Sequence, residues 1–294
     1  MIYVLLFGHT GQTILNIIET EAFKCTCNPI SSFKLIRSQE DLINPDGTPI
    51  SREDVFMIIA DFNEQYPEDI QCFNDAFAAL TQDSPEHTHK PNAWKYPADI
   101  IHYHTYWGRM NVTVTFPLAP YDIISDDLRN TLKKLSKEKN VDVSAIAIPQ
   151  NLSAETSNLL VKELFCLFDE PDKTDIEWLE YLDVANNRYG RLYSAEAENA
   201  VETANAIVKS IDLKNIPAVL LLFYCPYHGT LREISEGACK IEEMLDENGI
   251  MVWSHRIHKK ETVQILLIAF QDIDIIPKPN RYHRPEWPTE YSTQ

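Results

Sequence analysis

The residues best placed to do chemistry stand near the start of the chain, where Gly8-His9-Thr10-Gly11-Gln12 follows an apolar run. A glycine turn between a buried strand and a helix offers free backbone N–H groups and the positive end of a helix dipole to an anion. The spacing is neither G-x-G-x-x-G nor a P-loop, because no Lys-Ser/Thr pair follows. A tight turn that needs glycine for its dihedrals is the competing reading. A second constellation is His87, His89, His102 and His104, two H-x-H pairs that could hold a zinc ion. No carboxylate or cysteine stands beside them at ligand spacing, and a histidine-rich polar loop edge is the simpler reading. Cys25 and Cys27 have no second pair to complete a metal site. No nucleophile elbow, H-E-x-x-H or paired-acid motif occurs.

These residues need elements to hold them. Met1 to Phe7 is a continuous apolar run of strand length, and Ile14, Ile17 and Ile18 predict a helix over Thr13 to Glu21. Phe33 to Arg37 and Val55 to Ala60 read as further strands, the second fully apolar as a buried parallel strand should be. Ile70, Phe73, Phe77 and Leu80 predict a helix over Asp69 to Leu80, and the polar stretch from Thr81 to Ala98 reads as a long loop. Strands are expected at Val112 to Phe116 and Val143 to Ile148, with a helix from Ser125 to Lys139 between them. Ser153 can cap a helix running to about Phe168. Strand and helix thus alternate, which argues for a parallel sheet covered on both faces.

After the charged segment Asp169 to Asp175 the pattern becomes α+β. It contains a strand at Tyr189 to Tyr193, a helix at Glu196 to Ser210 and a strand at Ala218 to Tyr224. An amphipathic helix follows over Thr230 to Asn248, with Gly249 as its stop. Met251 to Ile257 and Thr262 to Phe270 then read as two paired strands joined by His258 to Glu261. From Pro277 four prolines accompany Tyr282, Trp287 and Tyr291 in what reads as an extended tail. The expected organisation is an α/β domain over 1–175, a smaller α+β domain over 176–275 and a tail over 276–294.

Composition narrows the function. Of the 294 residues, Asp and Glu total 44 against 26 Lys and Arg, a net charge of -18. Such a surface repels phosphate backbones and anionic lipid, so neither a nucleic-acid partner nor a membrane partner is expected. No apolar stretch approaches the roughly 20 residues a bilayer needs. The opening lacks the basic region of a signal peptide. The six cysteines are scattered as reduced thiols in a cytoplasm would be. Only eight glycines occur, few for a protein that wraps a nucleotide in a glycine loop.

Read in order, these elements resemble the FtsZ/tubulin superfamily over about residues 1 to 270. The clearest similarity is at Ala218-Val-Leu-Leu-Leu-Phe, Thr230-Leu-Arg-Glu, Ala238 to Leu245 and Val263-Gln-Ile-Leu-Leu-Ile-Ala. These look like the family's carboxy-terminal domain. Tyr189-Gly-Arg-Leu-Tyr-Ser-Ala-Glu-Ala-Glu-Asn-Ala is similar to its strand followed by A-x-G-E-N-R-A, with Glu198, Asn199 and Ala200 in place. The opening resembles the first phosphate loop, keeping Gly8 and Gly11. The resemblance implies a Rossmann-like parallel-sheet domain followed by a smaller α+β domain. It also implies GTP or GDP as the ligand, with Gly8, Gly11, Gln12 and Asn151 as nucleotide-binding candidates.

Departures from the family pattern shape the functional expectation. The family's G-G-G-T-G-[ST]-G loop is replaced by Ala60-Asp61-Phe62-Asn63-Glu64-Gln65-Tyr66-Pro67-Glu68-Asp69, which has no glycine. Each uncompensated like charge about 4 Å from a phosphate would cost roughly 4 kcal/mol at an effective dielectric of about 20. The family's catalytic N-x-D-x-x-D loop is matched by Trp178 to Asp183, with Glu180 and Asp183 as vestigial acids. The expectation is an FtsZ-like protein without a cofactor and without GTPase activity. It would act through protein contacts with an active relative or with itself. The alternative is a divergent, self-polymerising GTPase using Gly8 and Gly11, with Glu180 and Asp183 acting on a neighbouring subunit. An unrelated metal protein using the four histidines is the third reading.

Overall fold

The computed structural model describes residues 3–20, 32–51, 55–62, 66–82, 110–118, 126–138, 141–149, 156 and 178–273. The first half forms five parallel strands: β1 (Tyr3–Phe7), β2 (Ser32–Ile36), β3 (Val55–Asp61), β4 (Met110–Leu118) and β5 (Val141–Pro149), side by side as β2-β1-β3-β4-β5. The apolar runs of β1 and β3 are continuous because both faces are covered. Leu5, Phe7, Ile58 and Ala60 pack with Phe73 and Phe77 of α2 (Pro67–Gln82) and with Leu132 and Leu135 of α3 (Asp126–Lys137). On the other face, Val4, Leu6, Met57 and Ile59 pack with Ile14 of α1 (Gly8–Thr20).

The second half continues the same sheet. β6 (Arg188–Ala197) joins β5 in parallel, from Ser144↔Arg188 to Ala147↔Arg191, and then pairs antiparallel with β9 (Val263–Asp272). β9 is antiparallel to β7 (Ala218–Pro226), which is parallel to β8 (Ile250–His258). The nine strands run β2-β1-β3-β4-β5-β6-β9-β7-β8. One apolar cluster extends along a single face from Val4 and Met57 to Leu222 and Phe270, beneath Tyr181, Leu182 and Val184 of α4 (Trp178–Ala185). Ser144 bonds both Thr113 and the buried Tyr181 hydroxyl, each at 3.0 Å, tying α4 to β4 and β5. The opposite face of the second half is covered by α5 (Ala200–Ser210) and α6 (Leu231–Glu242).

Three expectations are corrected. Strands β8 and β9 do not form a hairpin, because β7 lies between them. All nine positions of β7 are buried, so it belongs inside the sheet, while the half-exposed β8 takes the edge. The helix expected from Glu196 begins only at Ala200: β6 extends to Ala197 opposite Val263, and Asn199 caps the helix by accepting the Glu202 N–H at 2.9 Å. The helix expected to reach Asn248 ends at Glu242 and gives way to turns before Gly249. Its start is as the sequence suggests. Thr230 Oγ1 accepts the Glu233 N–H, and the Glu233 carboxylate accepts the Thr230 N–H at 3.0 Å. The helix expected over Ser153 to Phe168, apart from Thr156, and the tail lie outside the described residues.

Candidate functional site

The parallel half delivers the carboxyl ends of β1 and β3 side by side, with α1 starting directly after β1. The loop expected at Gly8 to Gln12 is instead the first part of α1, which is entered through Gly8, whose φ of 67° lies in the left-handed region that side chains disfavour. Gly11 serves packing: a Cβ there would lie 2.9 Å from the Leu6 carbonyl carbon, so its absence lets α1 approach β1. Gln12 bridges elements, donating to Asn16 Oδ1 and accepting from the Arg37 guanidinium, each at 2.9 Å.

Two carboxylates lie against this helix start. Asp61, the last residue of β3, is only 9% exposed and lies beside Gly8 and Thr10. Asp69, in the first turn of α2, is the second. A Cβ on Gly8 would lie 3.1 Å from Asp61 Cβ and 3.1 Å from Asp69 Oδ2. Burial pushes the Asp61 carboxyl up to about 6; His9 and the Thr10 backbone bond oppose the shift, while Asp69 adds to it. Burial also raises Asp69, with Glu68 contributing. The chain thus places two acids of its own against the helix amino terminus, the position where an anionic ligand would otherwise be drawn.

The other candidates are placed elsewhere or not described. Glu180 and Asp183 stand on α4, a helix leading into the amino end of β6, whereas Gly8 and Asp61 sit at the carboxyl ends of β1 and β3. Within one molecule the structure does not bring the two sets together. Asp183 contributes its carbonyl to the Arg188 guanidinium at 2.9 Å, an ordinary helix-end contact. Asn199, part of the sequence resemblance, is a helix cap. Asn151, His87, His89, His102 and His104 lie outside the described residues. Among the described residues no group of three or more His, Cys, Asp or Glu could hold a metal ion, and no helix is long and apolar enough to cross a membrane. Sequence reasoning identified Asp61 as a charge in the cleft but missed its place beside Gly8 and Thr10. The available signal was a lone acid ending an otherwise apolar strand.

No protein-family model and no curated protein matches the sequence. Solved structures do match in shape. The empty FtsZ dimer of M. jannaschii is 14% identical, with 92% of this chain and 88% of that chain covered and a TM-score of 0.50. A point mutant of the same FtsZ is also 14% identical, covering 92% and 91% at a TM-score of 0.52. CetZ2 from Haloferax volcanii, a GTPγS-bound protofilament, is 11% identical over 92% of each chain at a TM-score of 0.49. The chain has the FtsZ/tubulin fold. In this chain of FtsZ/tubulin fold α1 is entered through Gly8, and the end of β3 carries an acid beside it.

Proposed function

We propose that this FtsZ/tubulin-like chain does not hydrolyse nucleotide and acts as an assembly or regulatory partner through protein contacts. The observation that carries the reading is the pair of acids, the buried Asp61 and Asp69, set against Gly8 at the start of α1. A triphosphate entering this position would meet both acids. At an effective dielectric of about 20, each like charge at about 4 Å opposes it by roughly 4 kcal/mol. The described cysteines Cys72, Cys225 and Cys239 are free thiols, which suits a cytoplasmic setting. Self-association is the simplest protein contact to propose, since the similar M. jannaschii FtsZ is a dimer.

Calorimetric titration with GTP and GDP, paired with a phosphate-release assay, tests the proposal. No saturable binding and no phosphate release are expected. The Asp61→Ser variant is expected to gain nucleotide affinity if the acid is what excludes it. Tight binding with phosphate release by the unaltered chain would establish the alternative, a divergent polymerising GTPase. What favours that alternative is the retained Gly8 turn with helix N–H groups at the carboxyl ends of parallel strands. It predicts GTP-dependent light scattering that Asp183→Ala abolishes.

A further inference from the structure

The sheet ends differently at its two edges. β2 is a five-residue strand, whereas β8 has nine residues and no proline, and pairs with β7 in unbroken register from Ala218↔Ile250 to Pro226↔His258. Among the described residues no strand covers the outer side of β8. A straight strand in this position presents alternate backbone N–H and C=O groups outward, a template for another strand.

Its two side-chain rows have different chemistry. Trp253 and Ile257 stand in register with Leu221 and Cys225, on the face covered by α5 and α6, and the Trp253 ring meets Phe223 edge-on. Trp253 is nevertheless 38% exposed and Ile257 63% exposed. Arg256 and His258 lie on the opposite face, and the exposed Lys259 follows directly after the strand. Arg256 bonds the Ser254 hydroxyl and the His255 carbonyl at 3.3 Å, which holds its guanidinium along the strand. In a chain of net charge -18, β8 carries Arg256 and no carboxylate, and Lys259 follows it.

We infer that the outer edge of β8 receives an extended acidic peptide of a partner protein as an added strand. Apolar side chains of that peptide lie against Trp253 and Ile257, and alternate acidic ones lie beside Arg256 and His258, with Lys259 at the end of the strand. The two-residue period of a strand matches the two rows. Charge favours an acidic partner over a second copy of β8, whose cations would face these ones. The inference is independent of whether nucleotide binds near Asp61.

The test uses the full chain and fluorescently labelled peptides matched to the nine residues of β8. One alternates valine and glutamate, one alternates valine and lysine, and one is the acidic peptide with a central proline. Anisotropy is expected to show the acidic peptide binding about tenfold more tightly than the basic one, with the proline peptide also weakened. Lys259→Glu and Ile257→Asp should each weaken the acidic peptide several-fold. Hydrogen exchange should slow at alternate β8 amides only when that peptide is added. No binding, or equal binding of acidic and basic peptides, overturns the inference. A dimer in sedimentation that Ile257→Asp dissociates would show that a second copy occupies the edge. Outward amides already protected in the free monomer would show that the chain covers itself.

Discussion

Burial raises the Asp61 carboxyl to about 6, so the cleft changes its own charge around that pH. Its value of about 6 lies above the ordinary 3.8, which means the native state holds the proton more tightly than the unfolded chain. The stability this gives is fully present below about pH 4 and is lost as pH rises through 6, at most about 3 kcal/mol. Asp61→Asn removes the buried charge. Urea denaturation should find the variant more stable by about 2 kcal/mol at pH 7.5, with the gap closing by about pH 4.5. A gap that is constant with pH would contradict burial as the cause. Gly11→Ala should cost about 2 kcal/mol, because its Cβ would press on the Leu6 backbone. At this scale the glycine turn and the acid were legible in the sequence. The placement of Asp61 beside the start of α1 was not, because the two belong to elements far apart in the chain that meet only when β1 and β3 pair.

Single elements owe their ends to local side chains, and these are the parts most easily read. Thr230 and Glu233 mark the start of α6 through a reciprocal cap, so Thr230→Ala should lower stability by about 1 kcal/mol in thermal or urea unfolding. The end of the same helix was misread because its apolar period continues through Leu245 after the backbone has left the helix. Trp178–Ala185 is helical although the sequence resemblance matches it to a loop; the buried Tyr181 hydroxyl bonded to Ser144 anchors it. Tyr181→Phe leaves Ser144 with Thr113 alone and should cost about 1 kcal/mol, read by the same unfolding measurement.

Over the whole molecule, charge governs association. With a net charge of -18, two copies repel at low ionic strength, and salt screens that repulsion over distances of about 10 Å at 0.1 M. Sedimentation velocity should therefore show self-association, where it occurs, strengthening between about 20 mM and 200 mM salt. The acidic-peptide contact at β8 should weaken over the same range. Opposite salt dependences would separate the two kinds of contact in one set of measurements.

The sequence by itself determined the alternation of strand and helix, the two-sided burial of the parallel strands, the glycine turn after β1 and the lack of glycine after β3. These follow from period, composition and backbone dihedrals, which act over a few neighbouring residues. Tertiary structure alone decided that β7 separates β8 from β9, that β6 joins β5 into one nine-stranded sheet, and that Asp61 lies beside Gly8. Strand order is settled by which strands gain most from losing both faces to the interior, and that comparison is made among strands far apart in the chain.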